Sequence, residues 1–115
     1  MAISKNKLSG STNGKLIKVV ATATPGTLIH TAVSGTTDLD EIWIYAVNTT
    51  NAKVNLTIEW GGVASPGDLV EVGLQGAEGF VLVIPGAVLN NGKVIRAFAG
   101  SANAINVLGW VNEIR

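Results

Sequence analysis

The feature that most constrains the fold is the strict alternation of Lys53–Trp60, in which Val54, Leu56, Ile58 and Trp60 point one way and Asn55, Thr57 and Glu59 the other. A two-residue period marks a β-strand with one buried and one polar face. Similar β-prone runs recur, each closed by turn residues. Lys15–Thr24 precedes Pro25-Gly26, Thr27–Val33 precedes Ser34-Gly35, and Glu41–Asn48 precedes Thr49–Ala52. Beyond the Gly61–Gly67 loop come Asp68–Leu74, Gly79–Ile84, Lys93–Ala99 and Asn103–Glu113, with Pro85-Gly86 and Asn90-Asn91-Gly92 as turn signals. No window repeats its apolar residues at the three-to-four spacing of a helix. About eight short strands with short connections predict an all-β chain: an antiparallel β-sandwich, jelly-roll-like, with two sheets packed face to face.

Residues 1–14 lack this pattern and are rich in Ser, Gly, Asn and Lys, so they read as a flexible N-terminal arm, with the sandwich domain over residues 15–115. No internal repeat or second domain is visible.

Charge narrows the function classes. Eight basic residues balance eight acidic ones, and only 14% of the chain is charged, against roughly 25% in soluble proteins generally. A neutral chain has no electrostatic footprint for nucleic acid and tolerates crowding beside copies of itself. The absence of cysteine removes disulfides and zinc–thiolate sites. Met-Ala-Ile-Ser-Lys-Asn-Lys lacks the apolar stretch of a signal peptide, and no apolar run approaches the roughly 20 residues that span a bilayer. The expectation is a soluble protein made in a cytoplasm, with neither nucleic acid nor membrane as partner.

Two strands break the one-face rule. Glu41–Asn48 carries Ile42, Ile44 and Ala46 on one face and Trp43, Tyr45 and Val47 on the other; Asn103–Glu113 sets Ile105, Val107 and Val111 against Leu108 and Trp110. A strand apolar on both faces needs cover on both. A loop or the arm supplies it within the chain, or a second subunit does so from outside. On the second reading Trp43, Tyr45, Val47, Leu108 and Trp110 form a subunit interface, for which large aromatics are favoured.

Catalytic groupings are harder to find. His30 is the single histidine and has no acid within six residues along the chain, which favours a hydrogen-bonded strand residue over a catalytic base or ligand. Asp38, Asp40 and Glu41 form the one acidic cluster. They lack the glycine and terminal bidentate Glu of a calcium loop and read as a solvated turn. Glu59 and Glu71 are the remaining carboxylate candidates, and both read as outward-facing strand residues. The expectation is a protein that is not an enzyme and holds no cofactor or metal. Lys5, Lys7, Lys15 and Lys18 are the basic concentration, without interleaved aromatics or arginines for nucleic acid.

Several stretches together resemble one protein type: Leu8–Gly14, Ile17–Pro25, Thr27–Val33, Leu39-Asp40-Glu41-Ile42-Trp43, Leu56–Gly62, Val83-Ile84-Pro85-Gly86 and Leu89-Asn90-Asn91-Gly92. The resemblance is to the small β-sandwich decoration, or cement, proteins of tailed-bacteriophage heads. It implies a structural virion protein on the capsid exterior, present as a homotrimer and clamping neighbouring subunits of the major capsid protein. It also makes Lys5, Lys7, Leu8 and Lys15 candidate capsid contacts on the arm. The alternative is another virion module, a head-fibre base or a tail-associated glycan-binding domain, for which Trp60 beside Gly61-Gly62 is the candidate aromatic.

Overall fold

The structure is a computed structural model and describes residues 2–115. Among the described residues nine strands are formed: β1 (Ile3–Lys7), β2 (Ile17–Lys18), β3 (Thr27–Thr31), β4 (Leu39–Asn48), β5 (Val54–Trp60), β6 (Leu69–Leu74), β7 (Val81–Leu89), β8 (Val94–Ala99) and β9 (Ile105–Ile114). One sheet runs β1-β9-β4-β7, with β2 also pairing to β9; the other runs β3-β8-β5-β6. Every pairing is antiparallel. The pairs β2–β9, β3–β8, β4–β7 and β5–β6 are nested, so the chain from Ile17 onward is a long antiparallel ribbon folded over into two layers.

Alternation produces the core. Ile42, Ile44 and Ala46 of β4 and Ile105, Val107 and Val111 of β9 turn inward to meet Leu56 and Ile58 of β5 and Ile95 and Ala97 of β8, all buried in one cluster. Each Ile, Leu or Val side chain among them contributes about 1.5–3 kcal/mol on withdrawal from water.

Three expectations need correction. First, residues 1–14 are not an arm standing off the domain. Ile3–Lys7 pairs along β9, with Lys7 opposite Trp110, and Leu8 is fully buried in the core. Gly10 then donates to the Ile29 carbonyl at 2.9 Å. The polar composition reflects an edge strand whose side chains all face water, not a lack of structure. Second, Pro85-Gly86 is not a turn. β7 runs through it, and the register with β4 shifts between Ile42 and Trp43 and between Ile44 and Tyr45; an edge strand accommodates proline at such a bulge. Third, only Ile17–Lys18 of the Lys15–Thr24 run is a strand. Beyond it the chain changes sheets: Val19 donates to Ile105 of one sheet, and the Ala21 carbonyl accepts from Ala99 of the other.

A candidate protein-docking face on the five-stranded sheet

On β4 the even-numbered residues from Asp40 to Asn48 enter the core, so the odd ones, Glu41, Trp43, Tyr45 and Val47, must face out. The β4–β9 register sets Trp43 opposite Trp110, Tyr45 opposite Leu108, Val47 opposite Asn106 and Glu41 opposite Asn112. The five residues singled out as a candidate interface therefore share one outer face. Trp43 and Trp110 stack with ring centroids 6.1 Å apart and planes 13° from parallel. Tyr45 also stacks on Trp110, with ring centroids 5.8 Å apart and planes 28° from parallel. Neighbouring strands extend the apolar surface: β7 adds Leu82 and Val88, 40% and 50% exposed, and β1 adds Ile3 at 65%.

Part of this face is fixed by polar contacts. Glu41 Oε1 accepts from Asn112 Nδ2 and from the indole Nε1–H of Trp43, each at 2.9 Å. These two donors, Asn112 first and Trp43 second, hold the Glu41 carboxyl below its usual 4.5. The Trp43 ring lies across Gly86, where a Cβ would come within 2.8 Å of its Cζ2. With φ at +81°, Gly86 also adopts a conformation that disfavours side chains. The orientation of Trp43 is thus determined from below by a glycine and from the side by a carboxylate.

The candidate arm residues divide. Lys5 and Lys7 lie on the same outer face, with Lys5 Nζ 5.2 Å from the Trp110 ring centroid in a cation–π contact. Lys18, opposite Asn106, joins them on the same side of β9. Lys15 is in the turn between β1 and β2, where its N–H donates to Thr12. Leu8 is in the core and cannot meet a partner. The two patches that looked separate in the sequence are one surface: an aromatic centre bordered by lysines. Beside Trp110, an open groove of about 400 Å³ is lined by Lys5, Asn6, Lys7, Asn13 and Gly109.

His30, Asp40 and Glu59 are engaged structurally. His30 Nδ1 accepts from the Ser9 backbone N–H at 2.9 Å, so the ring proton is on Nε2, which donates to Asp40 Oδ2 at 2.9 Å. Asp40 also accepts from Val33 N–H at 3.1 Å and from Arg115 Nη1 at 3.1 Å. It is therefore a buried strand residue and not part of a solvated turn. Ser9 presents its amide to His30, while its hydroxyl accepts from Thr31 N–H. Glu59, expected to face solvent, is fully buried. The 20–26 segment folds over it, and its carboxylate accepts from Gly26 N–H at 2.7 Å and Thr24 Oγ1 at 2.5 Å. Glu71 is exposed, as expected. Trp60 is half-buried against the core and is not a free aromatic platform. Among the described residues no group of three or more His, Cys, Asp or Glu side chains is arranged to hold a metal ion.

The sequence signal for the docking face was the two-faced strands. What it could not supply was the register that adds Lys5 and Lys18 to them. No known protein family, curated protein or solved structure matches the chain.

Proposed function

We propose that the chain is a structural virion protein that attaches through the outer face of its five-stranded sheet to the mature capsid, holding neighbouring major capsid subunits together from outside. The observation that carries this reading is the continuous face of Trp43, Tyr45, Leu108 and Trp110, extended by Leu82 and Val88 and bordered by Lys5, Lys7 and Lys18. A pre-stacked aromatic group is the composition of an interface hot spot, and the lysines supply orientation and selectivity for an acidic border. Two further points support it. We read the strand order β2-β9-β4-β7 over β3-β8-β5-β6 as jelly-roll-like, an architecture used by viral capsid and lectin domains. The decoration-protein resemblance spans both sheets. Binding confined to the expanded lattice would stabilise that lattice by linkage.

The test is co-sedimentation of purified protein with expanded heads and with unexpanded procapsids of its phage. Binding to expanded heads, with a rise in their heat resistance, is the expected result. Equal binding to both forms, or to neither, overturns the proposal.

A second reading has its own observation. The groove between Trp110, Lys5 and Asn13 sets an aromatic face beside amide and ammonium groups, as sugar-binding sites do. A tail- or fibre-associated glycan module would bind an array of host-surface oligosaccharides and lose that binding with Trp110→Ala, while ignoring heads.

A further inference from the structure

The four sheet edges are not equally protected against further pairing. β1 carries Lys5 and Lys7. β7 contains Pro85 and two register shifts. β3 is bulged between Leu28 and His30, and residues 9–10 already bond to it. Charges, proline, bulges and covering segments are the usual protections of an edge. β6 (Leu69–Leu74, LVEVGL) has neither bulge nor proline, and its register with β5 is unbroken from Val54–Leu74 to Glu59–Leu69. Its core-side Val70 is 37% exposed.

The free groups on this edge can be named. Trp60 N–H donates to the Asp68 carbonyl at 2.8 Å. By antiparallel alternation, Val70, Val72 and Leu74 bond to β5, while Glu71 and Gly73 turn their N–H and C=O outward. Lys53 lies over Gly73 on the outer face, where a Cβ would come within 3.1 Å of its Nζ. Among the described residues neither Glu71 nor Lys53 has an ion-pair partner within the chain.

We infer that β6 is a contact between two copies of this chain, which pair antiparallel about a two-fold axis at Val72 and join their four-stranded sheets. In that register Glu71 of each copy stands opposite Gly73 of the other, and the outward N–H and C=O of both residues are satisfied. The Glu71 carboxylate meets the Lys53 ammonium of the second copy on the outer face. Val72 packs against Val72 across the axis. A register centred on Glu71 puts like charges directly opposite each other and is disfavoured. The edge belongs to the sheet that does not carry the docking face, so a pair displays two such faces. Two-fold pairs replace the trimer that the resemblance implies. The inference does not depend on the docking face.

The test uses the full chain in sedimentation equilibrium. A mass approaching twice 11.8 kDa is expected at high concentration, and Trp43→Ala should leave it unchanged. Glu71→Lys or Lys53→Glu should raise the dissociation constant at least about tenfold by setting like charges together, and the double exchange should restore it. Val72→Cys, the single cysteine in the variant, should cross-link on mild oxidation, because a non-hydrogen-bonded pair brings Cα atoms to about 4.5 Å. Glu71→Cys should not. A monomer at every concentration overturns the inference. So does a dimer that is indifferent to both charge reversals and not cross-linked through position 72.

Discussion

Trp43 and Trp110 stand directly opposite each other on β4 and β9, their rings 13° from parallel and 6.1 Å apart, on the face of the sheet turned away from the core. Cross-strand aromatic pairs of this kind stabilise a sheet beyond their buried area. A pair fixed before binding also loses little conformational freedom when a partner arrives. On the proposed function the same two residues contribute to fold and to attachment, and the contributions separate by measurement. Trp110→Ala should cost about 1–2 kcal/mol in urea unfolding, through loss of the stacking with Trp43 and Tyr45 and the Lys5 contact. The Trp43/Trp110 double-mutant cycle should show a coupling of about 1 kcal/mol. Binding to expanded heads should fall at least about thirtyfold at a temperature where the variant is fully folded. Undiminished binding would remove Trp110 from the attachment surface.

Glu41 gives the face a pH dependence of defined sign. Its carboxyl is held below 4.5 by Asn112 and Trp43, so the folded state favours the ionised form more than the unfolded chain does. The resulting stability is complete above the unfolded value and is lost as pH falls through the lower folded value. Urea midpoints of the wild type and Glu41→Gln should differ by a constant amount near neutrality, and the difference should shrink as pH falls below 4.5. A gap that widens on acidification would contradict the hydrogen-bond arrangement.

The legible and illegible parts of this fold divide along physical lines. Strands such as β5 and β4 were readable because their side chains alternate against a core. The turn at Asn91-Gly92 was readable because both residues take positive φ, +60° and +67°. β1 was missed because ISKNK buries nothing and is held by backbone pairing alone, which leaves no hydrophobic signature. Glu59 was misassigned because the alternation correctly put it outside the sheet, but the cover over that side comes from a distant segment. The docking face was half legible: the apolar excess on β4 and β9 was plain, while its lysine border depended on a register that only the folded chain defines.

Two glycines near Trp43 should respond differently to one added methyl. At Gly109 a Cβ would lie against the Trp43 backbone carbonyl and 3.0 Å from Leu8 Cδ1. Gly109→Ala must therefore part β9 from β4, and because the obstacle is backbone a loss of about 3 kcal/mol is expected, at the upper end of the range for overpacked core sites. At Gly86 the obstacle is the Trp43 ring itself, which can rotate away, leaving chiefly the cost of a positive φ, about 1–2 kcal/mol. Gly86→Ala should shift tryptophan fluorescence, with a smaller stability loss than Gly109→Ala. The reverse order would show that the indole is not free to move.

Asp40 joins three elements by accepting from His30 Nε2, Val33 N–H and Arg115 Nη1. Asp40→Ala leaves the buried His30 Nε2–H and the part-buried Val33 N–H without an acceptor, at about 1–3 kcal/mol each. Asp40→Asn keeps one oxygen and should recover part of the loss. Chemical denaturation of the three proteins should rank wild type, Asn, then Ala. Equal stability of the two variants would mean that water replaces the carboxylate.

The first residues are the most direct check on the corrected fold. A free arm could be removed without consequence to the sandwich, but Leu8 is fully buried and touches the space below Gly109. Leu8→Ala should cost about 2–5 kcal/mol from lost burial and the cavity left behind. Removing residues 1–7 while keeping Leu8 should cost less, since those side chains are exposed, although it uncovers the β9 edge from Trp110 to Ile114. That uncovered edge makes a second outcome measurable: the truncated chain should aggregate faster than Leu8→Ala at matched fraction folded, because an unpaired strand edge recruits other strands. If deletion of residues 1–7 changes neither stability nor aggregation, β1 is not held to β9 in solution, and Lys5 and Lys7 no longer border the proposed docking face.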